Sequence, residues 1–386
     1  MITFSTQNAI KDKILTSYVK KVEKANEYLF AKKYSEFLTL PDQNISRILE
    51  IGEKARKKFK DIIVMGIGGS VLGAQMLNNC LCCKREKTPN FHFLDNIDPM
   101  GIEKIEEIFS KKTTLFIVIS KSGNTLETAT TFSLINKKTK ENIIIITENK
   151  EGLLYQYGKK NKITTIEMPK FVAGRYSVLT ASGLLPATIM GLDTKKILLG
   201  SKKTLSTKIP EMLATIIYHL YTAKKKKTIA LFPYIDSFEY FNKWVIQLIS
   251  ESLGKNNTIG PLPISLIGTK DQHSMLQLLI DGPKDKWILF TELEKRNKDY
   301  SINGIKYSQI LKAEKTGTEQ SLSEKHIPNA TITIDKLDEE NIGELIMIFE
   351  KATAIASELF GVNAFNQPAV EHSKTITREI LLKLKK

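Results

Sequence analysis

The stretch TLFIVISKSGNTLET, residues 114–128, joins an uncharged run to a loop rich in hydroxyl side chains. Residues 114–120 carry no charged side chain, which predicts a strand buried on both faces, as in a parallel sheet. A helix is predicted over 125–137, directly after the loop. Because strand, loop and helix in this order form part of a βαβ unit, the stretch indicates an α/β fold.

The same alternation of strands and helices extends along the chain in both directions. Around the first stretch, we predict further strands at 61–66, 91–94, 142–147 and 163–168 and helices at 70–80, 101–110 and 151–159. A second set has predicted strands at 227–232, 287–292 and 330–334 and helices at 211–223, 238–253, 272–280, 339–360 and 368–384. The first 55 residues show helical spacing of apolar side chains, clearest over 14–30.

The length of 386 residues suits two domains, and a composition of 42% hydrophobic and 26% charged residues is typical of a soluble globular protein. No apolar run approaches the roughly 18 residues of a membrane span. The N-terminus lacks the basic region and apolar block of a signal peptide. We therefore expect a cytoplasmic protein without membrane association.

The net charge of +15 favours anionic partners, whether phosphate esters, nucleic acid or a membrane surface. Only six of the 57 basic residues are Arg, and no nucleic-acid-binding motif accompanies the scattered lysines, so we expect no nucleic-acid binding. Cys80, Cys82 and Cys83 are odd in number and lie within one short segment, which argues against a disulfide framework and favours free thiols. With only His92 nearby, they predict no metal site.

Two loops follow predicted strands and could hold a phosphate. The first, MGIGGSVLG at 65–73, is neither a dinucleotide fingerprint, because Val71 stands where Gly or Ala is required, nor a P-loop. Its glycines permit close approach of a ligand to the backbone, and Ser70 could cap the next helix. Taken alone, this loop also fits a plain tight turn.

The second loop, SKSGNTLET at 120–128, is the stronger candidate. Asn124 and Glu127 have the spacing of a capping box and predict the start of the helix there. Free backbone N–H groups and the positive end of a helix dipole favour an anion. We therefore predict binding of a phosphate monoester by four hydroxyls, those of Ser120, Ser122, Thr125 and Thr128.

Further candidates lie beyond residue 170, and each of them is more often structural when it occurs alone. Arg175, in AGRYSVLTASG, has the rigid, always-charged fork that stabilises an oxyanion. Gln247 and Glu251 are four residues apart, so they project from one face of the predicted helix. The other candidates are His273, at a predicted helix start, and a predicted helical row of Gln367, Glu371 and Lys374.

Taken together, the motifs GIGGS, SKSGNTLET, GRYS, QxxxESxGK, GTxDQHS and QxxVExxK resemble the glucose-6-phosphate isomerase family. The resemblance covers about residues 60–380, and the last three motifs are the most specific. It implies an α/β fold with two SIS-type three-layer αβα domains and mostly parallel sheets. Together with the pattern along the chain, the resemblance implies a helical segment at 1–55, SIS domains at 56–200 and 201–350, and a C-terminal helical tail at 351–386 that closes the site.

The resemblance also implies an activity: reversible aldose–ketose isomerisation of glucose 6-phosphate to fructose 6-phosphate through an enediolate, in glycolysis and gluconeogenesis. Its implied catalytic residues are Glu251 as base, Arg175 as oxyanion stabiliser, and His273 and Lys374 for ring opening. Ser120, Ser122, Thr125 and Thr128 are the implied phosphate cradle, and the pocket is lined by Gly69, Ser70, Lys121, Gly174, Gln247 and Gln367. No cofactor or metal is required for this proton transfer, and the family implies a homodimer with His273 entering the partner's site.

Two alternatives remain at this point. One is a bifunctional phosphoglucose/phosphomannose isomerase, which also resembles a chain of two SIS domains. The other is a non-catalytic sugar-phosphate-binding regulator, which would keep SKSGNT but has no need of Glu251, His273 and Lys374 together.

Overall fold

The computed structural model describes residues 1–81, 88–109, 111–138 and 141–384, so Cys82 and Cys83 lie outside the described residues. Within these ranges the strands, in chain order, are β1 (Ile2–Ser5), β2 (Asp61–Met65), β3 (Asn90–Leu94), β4 (Thr114–Ile119), β5 (Ile143–Thr147), β6 (Thr164–Glu167), β7 (Thr228–Pro233), β8 (Leu262–Ser265), β9 (Lys286–Lys295), β10 (Ser301–Ile302), β11 (Ile305–Lys306) and β12 (Asn329–Lys336).

The helices of the described ranges account for most of the remaining chain. They are α1 (Asp12–Ala31), α2 (Ser46–Lys58), α3 (Leu72–Leu81), α4 (Pro99–Glu106), α5 (Leu126–Lys138), α6 (Leu153–Lys160), α7 (Ala181–Ile189), α8 (Thr194–Thr204), α9 (Ile209–Thr222), α10 (Glu239–Leu253), α11 (Gln272–Asp281), α12 (Tyr307–Glu324), α13 (Glu339–Phe360) and α14 (Ala369–Leu384). None of them is both long and apolar enough to cross a membrane.

The first sheet has the order β3-β2-β4-β5-β6, and all its strands are parallel. Every residue of β4 and β5 is buried, which is the burial that their uncharged sequences predict. Strand order reverses between β2 and β4, and at such a switch point the carboxyl ends of parallel strands leave a crevice. The loops at 66–70 and 120–125 therefore start at this crevice.

The second sheet has the order β1-β12-β9-β7-β8 and is parallel except for β1. β7 lies between β8 and β9 as β2 lies between β3 and β4, so both sheets share one arrangement. Sequence analysis missed β1, which adds an edge strand from the N-terminal segment otherwise predicted as helical. A second strand absent from the predicted set is β8, which lies in the Gly/Pro-rich stretch 260–268 and pairs with β7.

The largest hydrophobic core includes residues of both sheets, such as Ile62 and Ile229, together with the buried helices α7 and α13. Smaller cores pack beyond the first sheet, around Phe116, and beyond the second, around Phe290. The α/β fold with mostly parallel sheets is confirmed. The residue ranges proposed for the two domains stay a prediction.

Candidate active site

The loop after β4 gathers three of the four predicted hydroxyls. Thr125 Oγ1 lies 2.9 Å from Ser120 Oγ and 3.4 Å from Ser122 Oγ. Gly123 has a φ of +69°, in the left-handed region that favours glycine, so the chain turns back before α5. Thr128 lies one helical turn later, is buried, and its hydroxyl has no hydrogen-bond partner in the described protein. The loop thus presents clustered hydroxyls at a helix N-terminus.

The side chains of two other residues of this loop lie differently from expectation. The side chain of Asn124 does not cap its own helix, because Asn124 Oδ1 accepts from the backbone N–H of Leu153 at 2.9 Å, at the start of α6. Lys121 Nζ donates to the carbonyl oxygens of Lys170 and Val172, and burial lowers the pKa of this ammonium. The Lys121 side chain therefore braces the 170–172 segment, although its backbone belongs to the loop.

The glycine-rich loop after β2 packs against the turn that carries Arg175. A Cβ atom on Gly69 would lie 2.3 Å from the carbonyl carbon of Gly174, so only glycine permits this approach of the two backbones. Gly68 has a φ of +56° and lies beside the Gln247 amide. Ser70 ends a short 3₁₀ turn (Gly68–Ser70) before α3 and makes no side-chain cap of that helix among the described hydrogen bonds.

Arg175 is the centre of the site and is only 1% exposed. Its Nε donates to Ser252 Oγ at 2.8 Å, and its Nη1 donates to Glu251 Oε2 at 2.8 Å and to Gln367 Oε1 at 2.9 Å. Its Nη2 donates to the carbonyl oxygens of Ala364 and Asn366. A buried guanidinium with this many oxygen acceptors is fixed in position.

Glu251 and Gln247 share one face of α10, as their spacing predicts. Gln247 Nε2 donates to Glu251 Oε1 at 2.8 Å, so each carboxylate oxygen of Glu251 accepts one hydrogen bond, the other from Arg175. The Glu251 side chain is 33% exposed, whereas Gln247 Oε1 is buried without a hydrogen-bond partner in the described protein. The carboxylate is therefore oriented by two donors and accessible from one side.

Lys255, the last residue of the motif QxxxESxGK, belongs to the site but was not among the predicted site residues. Lys255 Nζ donates to the backbone carbonyls of Glu251 and Asn366. Burial, followed by the nearby charge of Arg175, lowers the pKa of Lys255 to about 8, against the opposing attraction of Glu251. Its position four residues after Glu251 was the available signal.

The remaining predicted residues do not all meet at this site. Gln367 reaches Arg175, but it precedes α14 and so does not share a helical row with Lys374. Lys374 pairs with Glu371 at 2.6 Å on an exposed helix. His273 is exposed in the first turn of α11 and makes no hydrogen bond or ion pair with Arg175 or Glu251. One chain therefore brings together the predicted base and the oxyanion group, but not the ring-opening pair.

The paired parallel sheets with a hydroxyl-lined loop at the switch point define a protein of the SIS fold, the fold of phosphosugar isomerases. Residues 44–301 and 305–386 match the family described as phosphoglucose isomerase. The chain belongs to the phosphoglucose isomerase family.

Relatives of known name agree with this assignment. The chain is 36% identical to a probable glucose-6-phosphate isomerase of Methanococcus maripaludis over 371 aligned positions, covering 89% of this chain and 84% of the relative. It is 34% identical to a glucose-6-phosphate isomerase of Methanocaldococcus jannaschii, with 97% and 98% of the two chains covered. A crystal structure of a glucose-6-phosphate isomerase from Chlamydia trachomatis has the same fold, with a TM-score of 0.87 at 20% identity over 100% of this chain and 89% of that one.

Proposed function

We propose that this protein interconverts glucose 6-phosphate and fructose 6-phosphate at the site built around Arg175 and Glu251. The observation that carries the proposal is the buried guanidinium held 2.8 Å from a carboxylate that remains partly exposed. An immobile cation next to an accessible base is what proton transfer beside a carbonyl needs, because negative charge moves from the base to the substrate oxygen. Membership of the phosphoglucose isomerase family supports the same reaction.

The phosphate group would occupy the loop after β4. Ser120, Ser122 and Thr125 present their hydroxyls there, and the N-terminus of α5 adds backbone N–H groups. Thr128 Oγ1 and Gln247 Oε1 are buried polar atoms without hydrogen-bond partners in the described protein, and such atoms are costly unless a ligand or water satisfies them. A polyhydroxylated sugar phosphate offers suitable partners to both atoms.

In the proposed reaction Glu251 removes the proton from C2 and returns it to C1. One carboxylate serves both steps because the two carbons are adjacent. Between these steps the substrate is an enediolate, whose charge Arg175 stabilises. Gln247 keeps the carboxylate turned toward the substrate throughout, since its amide donates to the other oxygen of Glu251.

Ring opening requires an acid and a base, which we propose are His273 and Lys374 of a homodimeric assembly. Within one chain His273 is exposed, its neighbour Gln272 lines the cleft between α11 and α12, and apolar side chains at and beside this cleft are exposed. Among these are Ile302, Ile305 and Tyr307, all more than half exposed. Exposed apolar groups of this kind support a subunit interface that carries His273 into a partner's site. We also propose that the protein works in the cytoplasm, where its sugar-phosphate substrates occur.

Under the bifunctional alternative, the same site residues also act on mannose 6-phosphate. The non-catalytic alternative is opposed by the geometry, since a regulator has no use for a carboxylate oriented by both Arg175 and Gln247. A coupled assay that converts fructose 6-phosphate to glucose 6-phosphate, with mannose 6-phosphate tested in parallel, separates the three functions.

The decisive variant is Glu251→Gln, which keeps the size of the side chain but cannot accept a proton. We expect its rate to fall by roughly 10²–10⁴-fold while substrate still binds. The matched control is Glu239→Gln at the other end of α10, where the carboxylate is 58% exposed and pairs with Lys243. Glu251→Gln activity within a few fold of the parent would contradict the assignment of the base.

A further inference from the structure

The C-terminal end of α10 is tied to the segment that leads into α14. Lys255 lies two residues beyond the last residue of α10, and its ammonium donates to the carbonyl of Glu251 on one side and to the carbonyl of Asn366 on the other. We propose that Lys255 is a positioning residue of the isomerase site, holding segment 364–367 against the helix that carries the base. This inference rests on the proposed function for its kinetic part only.

Lys255 acts on the same segment as Arg175. Arg175 Nη2 donates to the carbonyls of Ala364 and Asn366, the second at 3.3 Å, and Arg175 Nη1 donates to Gln367 Oε1. Two cations from separate parts of the chain therefore converge on the carbonyl oxygen of Asn366. Among the described contacts, the hydrogen bonds to residues 366 and 367 come from these two cations alone.

The rest of the segment is anchored only on its N-terminal side. Ala364 is fully buried, and the ring of Phe365 packs against Tyr176, with 5.3 Å between ring centroids. Asn366 and Gln367, in contrast, are exposed, and α14 beyond them has no buried residue. The position of Gln367 therefore depends on hydrogen bonds rather than on packing. The hydrogen bond from Lys255 to the neighbouring Asn366 is one of these.

The ammonium of Lys255 lies in an electrostatically unfavourable environment, unlike the ammonium of an ordinary surface lysine. The charged groups that face it are Arg175, from the turn at 174–176, and Glu251, from α10 itself. A half-buried ammonium beside a second cation loses hydration, and the carbonyl oxygens are the acceptors that offset this loss. Lys243 on the same helix instead pairs with Glu239 in solvent and touches no part of the site.

The tie has a consequence for catalysis because Gln367 and Glu251 share one nitrogen of Arg175. If segment 364–367 moves away, Arg175 Nη1 loses Gln367 Oε1 as an acceptor. Helix α14, which follows this segment and carries Lys374, is then no longer held in position at its N-terminal end. The hydrogen bond from Arg175 to Glu251 then changes, although the Glu251 side chain itself is unaltered. We expect this to lower kcat more than it raises KM, since the phosphate loop is untouched.

The test compares Lys255→Gln, Lys255→Arg and the control Lys243→Gln. Hydrogen–deuterium exchange of peptides covering 361–370 measures the tie, and steady-state kinetics with fructose 6-phosphate measures its effect. For Lys255→Gln we expect faster exchange at the amides of Val362 and Phe365, which donate to the carbonyl of Ser357 and to Asn363 Oδ1 at 2.9 Å, and a loss in kcat of about tenfold, the lower end for a charged hydrogen bond. Lys255→Arg should restore both, because it keeps a charged donor, and Lys243→Gln should match the parent.

Two results would overturn the inference: unchanged exchange in Lys255→Gln, or a loss of kcat that Lys255→Arg does not restore. If Lys255→Gln does not fold, Lys255→Met keeps the aliphatic stem and is measured in its place. The exchange experiment needs no substrate, so a parent protein inactive on fructose 6-phosphate would refute the proposed function while the tie is still tested.

Discussion

Replacing Glu350 by Gln should make the protein more stable at neutral pH. Glu350 lies in α13 and is fully buried, and neither of its carboxylate oxygens has a hydrogen-bond partner in the described protein. Burial alone raises the pKa of this carboxyl well above its ordinary value of 4.5. At a pH between the ordinary pKa and this raised pKa, the folded protein therefore holds a proton at Glu350 that the unfolded chain has already released.

The sign and size of the effect follow from this difference in pKa. The stability contributed by a group with a raised folded pKa is fully present below the unfolded pKa of 4.5 and is lost as pH rises through the folded pKa. Between these two values the free energy of unfolding falls by about 1.4 kcal/mol per pH unit. Gln cannot ionise, so the Glu350→Gln variant should escape this loss.

Urea denaturation of the parent and of Glu350→Gln at pH 5, 6, 7 and 8 measures the effect. We expect the stability of the variant relative to the parent to increase with each step in pH until the folded pKa is passed. Glu358→Gln is the matched control on the same helix, because the carboxylate of Glu358, unlike that of Glu350, pairs with a lysine, Lys32 at 2.5 Å. Parallel stability curves for the parent and Glu350→Gln across this range would refute the reasoning.

Three further predictions concern the site and its assembly. Thr125→Ala should weaken binding of both sugar phosphate and inorganic phosphate by about 1.5–3 kcal/mol, measured by calorimetry, and unchanged affinity would remove the loop as the phosphate site. Gly69→Ala should cost about 1–3 kcal/mol in urea denaturation, because its Cβ would overlap the Gly174 backbone, whereas Gly101→Ala in α4, where an added Cβ meets no atom within 4 Å, should stabilise by about 0.5–1 kcal/mol. Mixing inactive His273→Ala and Glu251→Gln subunits should restore activity if sites are shared, and confirmed subunit exchange without rescue would place His273 in its own chain's site.

The parallel sheets were predictable because their strands are local and strongly patterned. β4 and β5 are uncharged over their buried lengths, and the loops that follow carry the motif residues. β1 was not predictable in this way, since its four residues acquire meaning only through pairing with β12, more than 300 residues away. Pairing over such a distance leaves no periodic signal within a window of sequence.

Helix α12 was missed for a different reason. Its buried residues are Lys315, Thr318 and Leu322, so two of the three are polar and the apolar stripe that predicts a helix is absent. The buried ammonium of Lys315 donates to Glu319 at 2.6 Å and to Thr331 at 2.9 Å. These hydrogen bonds form only in the folded chain, and they offset the free-energy cost of burying the charge. The role of Lys255 at the site was unpredictable for a similar reason, because its acceptor Asn366 lies 111 residues away in the sequence.

The hydrogen bonds of Arg175 indicate how one group can serve both the resting base and the enediolate. A guanidinium has five N–H donors, and the five acceptors of Arg175 are Ser252, Glu251, Gln367, Ala364 and Asn366. Within the part of the chain that the structure describes, no donor of Arg175 is therefore left over for a substrate oxygen while these five acceptors are in place. In the proposed reaction, however, Glu251 becomes neutral as it takes the C2 proton, and the negative charge passes to the substrate. At this step Arg175 Nη1 loses its charged acceptor, Glu251, and the enediolate oxygen becomes a new charged acceptor. The hydrogen bond from Nη1 therefore moves from Glu251 to the substrate as the proton moves from the substrate to Glu251.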